Sequence, residues 1–162
     1  MEIATARDAP QIASLLTATS QRLTEIYGEG HWSHQTTEKG VLFGMKQNSK
    51  VLVVKRDEKI VGTLRLTTKK PWAIDTTHFT KVNHALYLVD MSVQPDLQRT
   101  GIGRHMLQEA RSFAKGWPGE AIRLDAYNAS AGAGEFYRKC GYKEVSRVVY
   151  KGTPLIYFEL IV

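Results

Sequence analysis

The sequence predicts an α/β (α+β) fold, a sheet flanked by helices, on three observations. At 162 residues, 43% hydrophobic and 23% charged, the chain has the length and composition of one globular domain, so residues 1–162 read as a single unit. Segments with helical apolar spacing alternate with short apolar runs of strand length. Finally, an apolar strand-like run is joined to an amphipathic helix by a turn holding two closely spaced glycines, Gly101 and Gly103.

In the first predicted helix, Ile12, Leu15, Leu16, Leu23, Ile26 and Tyr27 recur on one face. Asp8 and Gln11 stand at capping-box spacing, Pro10 falls in the first turn and Gly28 follows the last apolar residue, so both ends are marked. A loop with His31, Trp32 and His34 comes next, then a second helix predicted over 37–47 from the clustering of Val41, Leu42 and Met45. Residues 51–56 and 59–68 flank Asp57-Glu58 as a hairpin. Residues 71–84 have no clear period. The run 85–93 is apolar on both parities, as expected of a central strand covered on both faces, and its one charge is Asp90. After Gly101, the residues Ile102, Met106, Leu107, Ala110, Phe113 and Ala114 form another helical stripe. Residues 121–127 read as a strand, 131–140 as a helix stopped by Gly141, and 142–150 and 155–162 as two closing strands around Lys151-Gly152.

Composition excludes several classes. One cysteine, Cys140, rules out an internal disulfide and a Cys-rich zinc site, and five scattered histidines without metal-ligand spacing suggest no metal. No apolar run approaches the ~20 residues of a membrane helix. The polar N-terminal segment lacks the apolar core of a signal peptide, which points to the cytoplasm and away from a membrane partner. The net charge of +6 favours anionic partners, yet no nucleic-acid recognition motif is present. Ten Lys or Arg against three Asp or Glu lie between Lys39 and Lys81, so the excess sits away from the glycine turn. It reads as a solvated basic face or as the mark of an acidic acceptor.

The informative segment is Val93-Gln94-Pro95-Asp96-Leu97-Gln98-Arg99-Thr100-Gly101-Ile102-Gly103-Arg104. The first amides of a helix have no intrahelical acceptor and lie at the positive end of its dipole, so a strand–turn–helix of this kind makes an anion site. The P-loop is excluded by the missing Gly-Lys-Ser/Thr, and the dinucleotide fingerprint by Met106 where a third small residue is required.

Gln98-Arg99-Thr100-Gly101-Ile102-Gly103 resembles the Q/R-x-x-G-x-G/A motif of the GNAT superfamily of N-acetyltransferases, and Phe136-Tyr137-Arg138-Lys139-Cys140-Gly141-Tyr142 resembles its later aromatic motif. The resemblance covers nearly the whole chain, most specifically 86–142. It implies a twisted, mixed and mostly antiparallel central sheet, acetyl-CoA as co-substrate and no metal. It also implies that the backbone of Met91, Ser92 and Val93 pairs with the pantetheine arm. In the same way, the amides of Gln98, Arg99, Thr100, Gly101, Ile102, Gly103 and Arg104 hold the pyrophosphate, and Tyr137 protonates the departing thiolate. A phenol with a pKa near ~10 stays protonated at working pH, as that role needs. Where many relatives have an asparagine this chain has Ser130, with Asn128 two residues earlier; either contacts CoA, or Ser130 caps the helix.

Asp90 reads as the general base, since a carboxylate in a covered strand is costly unless paired or used. Its alternatives are a structural ion pair, or proton removal by water. His31 and Trp32 read as an acceptor-substrate wall or as an ordinary loop with one anchoring aromatic, and 71–84, with His78 and His84, as a lid. The reaction implied is transfer of an acetyl group to a primary amine of a small molecule by direct attack in a ternary complex. The alternatives are acetylation of a protein lysine or N-terminus, and a non-catalytic acyl-CoA-binding module. The resemblance is also compatible with a homodimer.

Overall fold

The structure, a computed structural model, describes residues 1–46 and 48–162. A two-residue strand β1 (Glu2–Ile3) precedes helices α1 (Ala9–Tyr27) and α2 (Glu38–Gly44). Strands β2 (Ser49–Arg56), β3 (Lys59–Thr67) and β4 (Ala85–Val93) follow, then α3 (Ile102–Gly116), β5 (Ala121–Tyr127), α4 (Gly134–Lys139), β6 (Lys143–Tyr150) and β7 (Thr153–Ile161). The strands form one sheet in the order β1-β2-β3-β4-β5-β7-β6, and every neighbouring pair is antiparallel except β4 with β5. This is the mixed, mostly antiparallel sheet flanked by helices that was expected. Two reversals use consecutive left-handed residues, Asp57–Glu58 (φ 48° and 62°) and Lys151–Gly152 (φ 47° and 81°), the sign that matches the twist of paired strands.

Alternation sorts the side chains between two layers. Leu64 and Leu66 of β3, Leu86 and Leu88 of β4, and Ile122 and Leu124 of β5 share one face, where they bury Ile102, Met106, Ala110 and Ala114 of α3. Each large side chain buried there contributes about 1.5–3 kcal/mol. On the opposite face α1 and α2 set Ile12, Leu15 and Val41 against Val51 and Val53 of β2. Ile26 and Tyr27, in the last turn of α1, belong to the same apolar stripe yet stay exposed.

Several expected boundaries move. Asp8 and Gln11 do not make a capping box. The Asp8 carboxylate accepts the Thr5 N–H at 2.7 Å and pairs with Lys55 at 2.9 Å. The Gln11 amide instead bridges the β2–β3 hairpin, accepting from the Ile60 N–H at 3.0 Å and donating to the Glu58 carbonyl at 3.3 Å. Helix α2 ends at Gly44, and Gln47, the last residue expected in it, lies outside the described residues. Helix α4 starts at Gly134 rather than 131. Its end is as expected: Gly141 takes φ 89°, and the N–H groups of Gly141 and Tyr142 donate to the carbonyls of Arg138 and Tyr137, each at 3.0 Å.

Residues 71–84 form a packed crossover and not a lid. Ile74 and Phe79 are buried with Tyr87 and Tyr157, and the Tyr157 hydroxyl donates to the Ala73 carbonyl and accepts from the Asp75 N–H. Beneath them Arg123 and Glu159 pair at 3.1 Å, both nearly fully buried, with the guanidinium also over the Phe79 ring. Removing one partner strands the other charge. Arg123→Ala should therefore lower unfolding free energy by about 3 kcal/mol or more in urea titration, and a loss below about 1 kcal/mol would contradict that reading.

Candidate active site

The one parallel pairing among the described strands is short. Ala85, Leu86 and Tyr87 of β4 pair with Ala121, Ile122 and Arg123 of β5, and the ladder stops there. Beyond it β4 remains paired with β3 as far as Val93, and β5 with β7 along its whole length, so the two strands diverge and the β4 edge from 88 to 93 faces a gap. A cleft of about 370 Å³ opens at this fork. Leu88, Met91 and Tyr137 line it from the α3–α4 layer, and Trp32, Asp125 and Tyr127 from the α1 side.

A bulge shapes the β4 edge. Thr63 stands opposite Ser92 and Arg65 opposite Val89, so Leu64 faces two residues, Asp90 and Met91. Asp90 takes φ 53°, in the left-handed region that a side chain adopts at a cost. The extra residue reverses the parity of the strand: Leu86 and Leu88 pack toward α3 before it, and Met91 and Val93 after it. Asp90 is thereby turned out of the core. Its side chain is about half exposed (51%), and its Oδ2 accepts from Arg65 Nε and Nη2, both at 2.8 Å. The covered carboxylate expected from the sequence is an ion pair at the rim. Ser92, by contrast, is buried, and its hydroxyl donates to Thr19 Oγ1 at 2.5 Å, which ties the strand to α1.

At the end of β4 a 3-10 turn (Pro95–Leu97) leads into the glycine turn, in which Arg99 (φ 64°) and Gly101 (φ 93°) are left-handed. Gly101 is needed for its conformation, with open space where a Cβ would stand. Gly103 is needed for room: a Cβ there would lie 3.1 Å from Phe136 Cζ. The first helical hydrogen bond of α3 runs from the His105 N–H to the Gly101 carbonyl at 3.0 Å, so the amides of Ile102, Gly103 and Arg104 precede the helical ladder. Two side chains brace the loop internally: the Gln98 amide donates to the Val93 carbonyl at 3.2 Å, and the Thr100 hydroxyl to the Leu97 carbonyl at 2.7 Å. The anion cradle is thus backbone, with the exposed Arg99 and Arg104 beside it.

Tyr137 is buried (8% exposed), edge-on to Phe136 and Tyr142, with its hydroxyl 3.9 Å from Met91 Sδ on the bulged strand. Burial, with Asp125 and Cys140 adding to it, pushes its pKa well above the ordinary tyrosine value, so the phenol is protonated throughout the neutral range. Asp125 was not singled out by sequence reasoning. It lies on β5 between Arg123 and Tyr127, lines the cleft, and has no cation paired with it among the described residues. Desolvation raises its pKa from the ordinary aspartate value. The available signal was the alternation in Ile122-Arg123-Leu124-Asp125-Ala126-Tyr127, which puts its polar residues together on the face away from α3.

Trp32 and His31 separate. Trp32 lines the cleft, held by its Nε1–H donating to the Gly28 carbonyl at 3.0 Å, by Ser20 Oγ donating to its carbonyl, and by an edge contact with Tyr127. His31 sits outside the lining and braces the rim: its carbonyl accepts from the Tyr127 hydroxyl at 3.0 Å, and its Nδ1 meets Thr153 Oγ1 at 3.2 Å. His34, beyond them, does line the cleft. Asn128 and Ser130 are exposed after β5. The residue before α4 is Ala133, so Ser130 does not cap that helix.

The fork was not expected, but it sets a free strand edge before a glycine turn whose helix amides lack intrahelical acceptors, and the comparison with known families agrees with the resemblance. The model of the acetyltransferase (GNAT) family matches residues 15–142. The chain belongs to the GNAT acetyltransferase family. The fold of this GNAT chain is also that of a ribosomal-protein-alanine N-acetyltransferase from Brucella melitensis (TM-score 0.74, 18% identity, 99% of this chain and 98% of that one). An aminoglycoside 6'-acetyltransferase type Ii (0.72, 18%, 99% and 97%) and an aminoglycoside 6'-N-acetyltransferase complexed with coenzyme A (0.68, 16%, 99% and 97%) share it. No protein of curated function matches the sequence. As a GNAT enzyme it is an acyltransferase whose donor is acetyl-CoA, and the free β4 edge and the first-turn amides of α3 fit that donor's amide-bearing arm and its pyrophosphate. Among the described residues no cluster of metal-ligating side chains occurs, and no helix is long and apolar enough to cross a membrane.

Proposed function

We propose that residues 1–162 work as one domain that transfers the acetyl group of acetyl-CoA to the primary amine of a small molecule, by direct attack in a ternary complex. The observation that carries this reading is the fork between β4 and β5, which opens to both layers of the molecule. The donor lies along β4 on the side of α3 and Tyr137; the acceptor enters from the side of α1, Trp32 and Tyr127. Met91, Ser92 and Val93 offer backbone to the pantetheine arm, and the bulge at Asp90–Met91, where the β3–β4 ladder is broken, offers backbone polarity to the thioester oxygen.

The amine must reach the carbonyl carbon unprotonated. Asp125 is placed to take its proton, being half-buried and without a counter-ion among the described residues, whereas Asp90 is paired with Arg65. The C–N bond forms, the C–S bond breaks, the amine proton passes to Asp125, and the departing sulfur takes the Tyr137 proton. A phenol held protonated and a carboxylate whose pKa desolvation raises serve as acid and base at neutral pH.

The sign of the pH dependence follows. Activity rises as Asp125 ionises, so its limb in kcat/KM ascends with pH and is displaced upward from that of an ordinary aspartate, separate from the higher limb of the amine itself. Asp125→Asn should erase the lower limb and cut kcat/KM by about 100-fold. An unchanged profile assigns proton removal to water. Mass analysis of products from parallel small-amine and peptide panels tests the acceptor class, and turnover on peptides alone would sink the small-molecule reading.

A further inference from the structure

The acceptor side does not end at the cleft. A second cavity of about 340 Å³ adjoins it, sharing Leu16, His34, Thr36 and Asp90 as a common neck, and runs beneath α2 to Arg65 on β3. Helix α2 presents Gly40 and Gly44 to this cavity, one turn apart. Glycine inside a helix costs stability, and both are spent on one face of a seven-residue helix. At Gly44 a Cβ would stand 3.4 Å from Arg65 Cδ and Nε, so the helix backbone packs directly on the Arg65 side chain. Arg65 uses Nε and Nη2 on Asp90, which leaves Nη1 without a partner among the described residues. The flanking sequence is basic: Lys39 lies on α2 and Lys46 just after it, Lys69 and Lys70 follow the strand that carries Arg65, and none of the four has a carboxylate partner among the described residues, although none lines the cavity itself.

The two cavities thus carry different groups, the unpaired Asp125 at the fork and, at the far end, Arg65, held by Asp90 through Nε and Nη2 with Nη1 left over. Resting on the acetyl-transfer reading above, we infer that the acceptor is an amine bearing an anionic arm, a carboxylate or phosphate. Its nitrogen would meet Asp125, and the arm would pass the Asp90 neck to Arg65. Guanidinium is the side chain best suited to such a group, because its planar donors match two oxygens at once. The excess of positive charge between Lys39 and Lys81 favours the same end.

Two acceptor pairs test this: an ω-amino carboxylate against its uncharged carboxamide, and a peptide with Asp following its terminal amine against the same peptide with Asn. Spermidine serves as a polycationic control. The expected result is about a tenfold preference in kcat/KM for the charged member of at least one pair, weakening with added salt, and the pair that shows it identifies the arm as part of a small molecule or of a peptide. The preference should collapse in Arg65→Gln. It should collapse also in the double variant Arg65→Gln/Asp90→Asn, which preserves net charge and leaves no unpaired aspartate behind. Carboxamide or spermidine turned over as well as the carboxylate would overturn the inference alone, whereas no turnover of any amine would overturn the acetyl-transfer reading on which it rests.

Discussion

Tyr137→Phe should lower kcat by about 100-fold or more while leaving the KM for acetyl-CoA nearly unchanged. The substitution removes one oxygen from a side chain whose ring is wedged among Phe136, Tyr142 and Phe158, so packing survives and only the proton donor is lost. Among the described residues the hydroxyl's one polar contact is a long one to Met91 sulfur, which means that its loss leaves no strong partner stranded. Without the phenol the sulfur must leave as the free thiolate or take its proton from water. An acceptor series of falling basicity should still react, uniformly slower, and wild-type turnover in the variant would remove Tyr137 from the chemistry.

Gly103→Asp should weaken CoA binding by about 100-fold or more. The new side chain must displace the Phe136 ring, which lies 3.1 Å from where its Cβ would stand, and it sets a carboxylate among the amides meant for the pyrophosphate. Gly103→Asn separates the two effects. Its bulk is the same and its charge is absent, so the Asp variant should bind about tenfold more weakly than the Asn variant, by a margin that shrinks in high salt. Thermal unfolding of both variants shows whether the Phe136 displacement has spread to the core. Equal CoA affinity in wild type and Gly103→Asp would contradict the cradle.

How much of this was legible in the sequence depends on how local each cause is. Helix α3 and its glycine turn were legible because a stripe at helical spacing, a left-handed glycine and an anion-binding terminus are all local facts. The central position of β4 was legible for the same reason, since apolar residues on both parities require cover on both faces. What failed was parity. Asp90 reads as a buried carboxylate only if alternation runs unbroken through β4, and one extra residue at the bulge carries it from the α3 face to the rim and Arg65.

The fork itself depends on where two strands distant in sequence cease to pair, which no window of residues reports. Asp125 was missed accordingly: in a paired strand it would be one more polar residue on a half-covered face, and only the divergence of β4 makes it a wall of the cleft. The basic excess between Lys39 and Lys81 was legible as composition, while the cavity that sets Arg65 beneath α2 became visible only when the helix and the strand were brought together.

The most direct test of the account is release of CoA thiol from acetyl-CoA, followed with a thiol reagent while the amine is varied. The prediction is release that depends on the amine, with one thiol freed per acetylated product and no acetyl-protein accumulating in its absence. Tight CoA binding with no amine-dependent release across small-molecule and peptide acceptors would contradict it, and would leave the fork as a binding site without chemistry.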